Sequence, residues 1–200
     1  MSTDINVSES ICSYFLDSSR AVNALISDNA VNDSLSKCIE ICVSSLRSGG
    51  KILLMGNGGS AADCQHIAGE LVSRFMFDRP GLSAIALTTD SSILTAIGND
   101  YGYDQLFARQ VNALGRSGDV LIGYSTSGNS PNILAGFRDA KSLGIHCIGF
   151  TGIKGGAMDS LCDQLLKVPS KSTPHIQEGH LILGHALCAV IEATMFDEPK

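Results

Sequence analysis

Five short strand-like runs, Lys51–Met55, Ala84–Leu87, Asp119–Tyr124, His146–Phe150 and Gln164–Val168, are spread along this chain, and helical stretches separate the first four. Strands alternating with helices call for βαβ units and a parallel sheet. The expected fold is therefore α/β: a doubly wound, five-stranded parallel sheet flanked by helices. Two helical patterns come before the first strand. One runs from about Ser8 to Ile26, with Ile11, Phe15, Val22, Leu25 and Ile26 at amphipathic spacing. The other runs from Asn32 to Arg47, with Leu35, Cys38, Ile39, Cys42, Val43 and Leu46 on one face. A last helix, from about Pro174 to Phe196, is apolar almost all round through Leu181, Ile182, Leu183, Ala186, Leu187, Ala189, Val190 and Ile191. Such a helix should be buried, and part of its cover is expected from another subunit.

With 200 residues, 44% of them hydrophobic and 17% charged, the chain is expected to be one globular domain, residues 1–200. Within it, 1–48 forms an N-terminal helical extension and 49–200 the α/β core. The net charge of −6 argues against nucleic acid as a partner. No apolar run approaches the roughly 20 residues needed to cross a bilayer, and no signal-peptide pattern opens the chain. Seven cysteines without a paired C-x-x-C spacing are expected to be reduced thiols in the cytoplasm.

In an open parallel sheet, ligands bind beyond the carboxyl ends of the strands. After the first strand comes Asn57-Gly58-Gly59-Ser60, a glycine turn feeding a helix, with Ser60 expected as its N-cap. After the third comes Ser125-Thr126-Ser127-Gly128-Asn129-Ser130, with Pro131 at the expected first helical position. Hydroxyls and free backbone N–H groups at two helix N-termini suit a phosphate. Neither loop is a dinucleotide fingerprint, because Gly56-x-Gly58-Gly59 lacks the G-x-G-x-x-G spacing, and no Gly-Lys-Ser/Thr of a P-loop occurs. No nucleotide cofactor is expected. Further along the helix that Ser60 opens, His66 and Glu70 lie at i, i+4 and share a face. On the last helix Gln177, His180, Leu181, Gly184 and His185 form a broad common face, and this helix is expected to pair with His66 and Glu70. His175 is expected at the surface.

Several segments, in this joint order, resemble the phosphoheptose isomerases of the sugar isomerase (SIS) domain family. They are Gly56-Asn57-Gly58-Gly59-Ser60-Ala61-Ala62-Asp63, Gln65-His66-Ile67-Ala68-Gly69-Glu70, Phe77-Asp78-Arg79-Pro80-Gly81-Leu82, Leu94-Thr95-Ala96-Ile97-Gly98-Asn99-Asp100, Gly118-Asp119-Val120-Leu121-Ile122, Ser125-Thr126-Ser127-Gly128-Asn129-Ser130 and Ile176-Gln177-Glu178. The resemblance implies a flavodoxin-like three-layer sandwich. It also implies an enzyme that interconverts sedoheptulose 7-phosphate and the corresponding mannoheptose 7-phosphate, the first step towards nucleotide-activated heptose for lipopolysaccharide or capsule. By resemblance, Ser60, Ser125, Thr126, Ser127 and Ser130 would hold the phosphate. Asn57, Gly58, Gly59, Asn99 and Asp100 would line the sugar, Gln177 would orient the substrate, and Glu70 and His185 would be the acid/base pair. The resemblance further implies zinc, with His66, Glu70, Gln177 and His185 as ligands, and a homotetramer with active sites at subunit interfaces.

Aldose–ketose isomerisation suits such a set. A proton moves between adjacent carbons through an enediolate, which needs a base, an acid and stabilisation of the developing oxyanion. Two non-isomerase readings compete. One is a binding protein of the same fold, of the kind associated with a replication initiator; the other is a sugar-phosphate sensor. A binder of that kind lacks the acid/base residues at Glu70 and His185, so their presence here favours the enzyme.

Overall fold

A computed structural model describes residues 6–196. Helices α1 (Val7–Ile26) and α2 (Asn29–Arg47) lead into the α/β part. There β1 (Ile52–Gly56), α3 (Gly59–Val72), β2 (Ala84–Ala86), α4 (Ser91–Asp100), α5 (Leu106–Leu114), β3 (Val120–Tyr124), α6 (Pro131–Ser142), β4 (His146–Gly152), β5 (Gln164–Val168) and α7 (Thr173–Met195) follow in turn. The strands form one parallel sheet in the order β2-β1-β3-β4-β5, the flavodoxin-like doubly wound arrangement. Every residue of β1 and β3 is buried, as strands covered on both faces must be.

One core layer packs Leu54, Ile122, Tyr124 and Phe150 against α2, α3 and α7, through Cys38, Cys42, Ile67, Leu183 and Leu187. The other packs Leu53, Leu121 and Cys147 against α5 and α6, through Phe107, Val111, Ile133 and Phe137. Three helices on one face and two on the other fix where the strands end, and the strand ends carry the loops expected to bind ligand. The register pairs Gly56 with Tyr124, so the turns after β1 and β3 open side by side at the point where strand order reverses.

The first helix departs from its expected packing. Of its apolar positions only Leu25 is buried, while Ile11, Phe15 and Ile26 stay exposed, with Val7 and Leu16 beside them. The helix has contacts with α2 and α7 but keeps an uncovered apolar row. It is held to α7 by Glu178, whose carboxylate accepts hydrogen bonds from Tyr14 Oη at 2.9 Å and Ser18 Oγ at 2.6 Å. His175 lies 3.1 Å from the same carboxylate through Nδ1 and stacks against Tyr14. It is therefore buried, not at the surface as the sequence suggested, because its place on the first turn of α7 turns it under α1. Among the described residues no helix is long and apolar enough to cross a membrane.

Candidate functional site

The turn after β1 is built on glycine. Gly58 has φ 58° and ψ −122°, a conformation that a side chain would strain, and it lets α3 begin at Gly59. Ser60 is thus not the expected N-cap. It is the second helical residue, buried, with its N–H donated to Asn57 O at 3.1 Å, and Gly58 occupies the cap position without a side-chain bond. The backbone N–H groups of Gly58 and Gly59 have no acceptor among the described residues, leaving donors for an anion at a helix N-terminus. Gln177, on the first turns of α7, rests its amide here: a Cβ placed on Gly59 would come within 2.9 Å of Gln177 Nε2.

The turn after β3 faces it. The hydroxyls of Ser125 and Ser130 are 2.9 Å apart and those of Ser125 and Ser127 3.4 Å, a cluster of three oxygens, while Thr126 lines the adjoining crevice. Pro131 opens α6, as expected, and Ser130 occupies the cap position, but its hydroxyl turns to Ser125 and makes no capping bond. Gly128, at φ 67°, is required by contact as well as by conformation, since a Cβ there would meet Gly155 O at 1.8 Å. The crevice, of about 350 Å³, extends from Thr126, Ser127 and Asn129 past Gly152 to Lys154, Lys171 and Thr173. Asn99 and Asp100, which end α4, are exposed, with Asn99 Nδ2 donating to Asp100 Oδ1 at 2.7 Å.

The third group lies further along α3 and α7, which pass each other at Ile67 and Gly184. His66 Nε2 is 3.0 Å from Glu70 Oε1 and 3.2 Å from His185 Nε2. These three side chains bring one donor atom each within 4.8 Å of one another, a cluster able to hold a metal ion. As a hydrogen-bonded pair, one of the facing imidazole nitrogens carries a proton and the other does not. His66 is 43% exposed and Glu70 26%, so the cluster opens outward. Gln177 does not join it within the chain. Eight residues of helix separate Gln177 from His185, about 12 Å of rise.

His180 departs from the face expected for it. It is fully buried, wedged edge-on between Tyr124 and Phe150, with no hydrogen-bond partner for either ring nitrogen. Burial pushes its pKa down from 6.5 to about 4, which the nearby Thr151 backbone offsets only in part. A helix that buries nearly all its faces sends a residue five before His185 into the sheet.

The support behind Glu70 was not read from the sequence. The guanidinium of Arg79 donates to the carbonyls of Glu70, Leu71, Ser73 and Pro80 and so closes the C-terminal end of α3. Its Nε lies 2.9 Å from the buried carboxylate of Glu192 on α7, which also accepts the N–H groups of Phe75 at 2.9 Å and Met76 at 2.6 Å. Against the cost of burial, these hydrogen bonds hold the Glu192 carboxyl below the usual range. Phe75 then stacks on His185. The signal was present in Phe77-Asp78-Arg79-Pro80, but nothing in the spacing shows that its arginine turns back onto the preceding helix. Asp63, one turn before His66, is half-buried, and burial raises its pKa against the pull of that histidine.

Residues 13–152 match the family model described as "SIS domain". A phosphoheptose isomerase of Burkholderia pseudomallei is 61% identical over 186 residues, covering 93% of this chain and 94% of that one. The solved phosphoheptose isomerase of Neisseria gonorrhoeae superposes with a TM-score of 0.88 at 43% identity, covering 94% of this chain and 100% of that one. That of Francisella tularensis superposes at 0.90 with 40% identity and the same coverage. Likeness of this extent, in sequence and in fold together, means that the chain belongs to the SIS domain family and, within it, to the phosphoheptose isomerases.

Proposed function

We propose that this protein is an aldose–ketose isomerase that interconverts sedoheptulose 7-phosphate and a manno-heptose 7-phosphate, at the entry to activated-heptose synthesis. The observation that carries the reading is the convergence of Glu70, His66 and His185 in a chain so similar to proteins named phosphoheptose isomerase. The phosphate is held by the hydroxyls of Ser60, Ser125, Thr126, Ser127 and Ser130, with the N–H groups of Gly58 and Gly59. Asn57, Asn99, Asp100 and Gln177 lie along the sugar. Glu70 and His185 form the acid/base pair: one removes the proton from the carbon beside the carbonyl, and the other delivers a proton to the oxygen as the enediolate forms. Reprotonation at the neighbouring carbon completes the exchange. No redox partner or nucleotide enters the balance.

Reach supports a site shared between copies. Ser60 and Glu70 are ten residues apart on α3, about 15 Å of rise. The reacting end of an extended heptose lies about 9 Å from its phosphorus, at the per-bond advance of an extended chain. A substrate anchored at Ser60 and Ser125 therefore meets Glu70 and His185 only if a second copy presents them. The uncovered apolar row on α1, with exposed Ile182 and Val190 on α7, supplies surface for such assembly. The homotetramer itself rests on resemblance to the phosphoheptose isomerases, with residues 1–48 contributing to the contacts and 49–200 forming the core of a single domain. Seven unpaired thiols fit the cytoplasm.

The donor set also fits zinc. Two imidazole nitrogens and a carboxylate oxygen are ordinary zinc ligands, and a catalytic site needs three from the protein. Zinc bound by His66, Glu70 and His185 would supply a Lewis acid for the substrate carbonyl. A lone pair given to zinc is withdrawn from proton transfer, so metal content and the acid/base role are tested together. The test is conversion of sedoheptulose 7-phosphate by purified protein before and after chelation, with Glu70→Gln as control. Turnover lost in the variant, and lost on chelation but restored by zinc, establishes both proposals. Turnover unchanged by Glu70→Gln overturns the assigned chemistry, and a folded wild-type protein without turnover returns the case to the binding-protein reading.

A further inference from the structure

Asn57 sits at the head of the glycine turn, and its side chain is already engaged inside the protein. Asn132 Nδ2 donates to Asn57 Oδ1 at 2.8 Å, and Asn57 Nδ2 donates back to Asn132 Oδ1 at 2.9 Å. Tyr103 Oη donates to the same Asn57 Oδ1 at 3.0 Å. The orientation of the amide pair is set by the backbone, because Ile133 N donates to Asn132 Oδ1 at 3.0 Å and so requires an oxygen there. Both lone pairs of Asn57 Oδ1 are then occupied, and one amide hydrogen is left to offer a ligand.

These bonds join three segments that the fold brings to one place. Asn57 follows β1, Asn132 is the second residue of α6 behind the hydroxyl loop, and Tyr103 follows the Asn99-Asp100 end of α4. Asn132 is 1% exposed and held as a fixed post, whereas Tyr103 is 59% exposed and reaches in from the surface. Between them the next residues are two glycines, which lose more backbone freedom on ordering than any other residue. A turn already held in its binding shape is spared that loss when the ligand arrives.

Resting on the isomerase reading, we propose that Tyr103 and Asn132 are positioning residues. They rivet Asn57 so that the N–H groups of Gly58 and Gly59 face the phosphorylated substrate in advance, while the one free amide hydrogen of Asn57 is left for the sugar. Tyr103→Phe isolates the effect, since it removes one hydroxyl from an exposed ring.

The first readout is independent of catalysis: amide hydrogen exchange of peptides covering 57–61, variant against wild type. Faster exchange in Tyr103→Phe, with an unchanged thermal midpoint, is the expected result, and equal exchange overturns the rivet. The second readout is the split of kinetic constants on sedoheptulose 7-phosphate. A KM raised about three- to tenfold with kcat within about twofold, the scale of one hydrogen bond, is expected. An unchanged KM beside faster exchange overturns the positioning role. A wild-type protein without turnover would sink the isomerase reading, and the exchange comparison would still decide the rivet. Asn132→Ala should extend both effects; if the emptied buried position prevents folding, Tyr103→Phe decides alone.

Discussion

The two ends of the site are made differently. The proposed anion end is assembled within one chain from turns at the carboxyl ends of β1 and β3, with Ser60, Ser125 and Asn132 buried and the two turns tied to each other. The His66–Glu70–His185 end lies on the outer faces of two helices, open to solvent, and draws its rigidity from behind, through Arg79 and Glu192. The carboxyl ends of two adjacent strands can supply a phosphate cradle by themselves because backbone N–H groups and short hydroxyls are local resources. On the proposed reading, groups that move protons must meet the far end of an extended substrate, which is why that reading calls on a second copy.

The sharpest way to separate the ends is Glu70→Gln. It is expected to cut turnover by ~10²–10⁴-fold while affinity for inorganic phosphate stays at its wild-type value. A parallel loss of phosphate affinity, measured by calorimetry, would mean that the ends are not separate. Next in size is Glu192→Gln. It leaves the Arg79 guanidinium buried without its counter-charge, and a loss of about 3–5 kcal/mol in unfolding free energy is expected from denaturant titration.

His180 stands between the ends and gives a pH test. Folded, it stays neutral down to about pH 4, whereas an unfolded chain takes up a proton below about 6.5. Stability should therefore fall as pH drops from about 6.5 to 4, by up to ~3 kcal/mol from this group, and lose nothing more from it below that range. His180→Phe should flatten that part of the profile in melts at pH 7, 5.5 and 4.5. The smallest effect is at the cradle. Ser130→Ala is expected to raise KM about three- to tenfold and leave kcat nearly unchanged, because one of several donors is lost.

The sheet, its strand positions and the turns after β1 and β3 were legible because their signals are local: apolar runs, glycines, and Pro131 at the head of α6. Gln164–Val168 was read to the residue and the other strands to within two. The pairing of His66 and Glu70 with the last helix was legible from helical spacing. Three things were not. Ser60 looked like a cap because the unusual torsions of Gly58 are invisible in its letter. His175 and His180 traded places with expectation, the first tucked under α1 and the second driven into the sheet, because on an apolar helix no polar side marks which way is out. Arg79 with Glu192, and Tyr103 with Asn57, join residues far apart in sequence, and such pairs carry no spacing rule.

The tie between α1 and Glu178 has a consequence for biogenesis. The helix made early in synthesis docks on one made last, some 160 residues later, so it leaves the ribosome well before its support exists. Until α7 is complete, the hydroxyls of Tyr14 and Ser18 lack the carboxylate that anchors α1, and contacts this distant in sequence form slowly. The docking of α1 is thus expected late in folding, since it waits for the segment that carries Glu178.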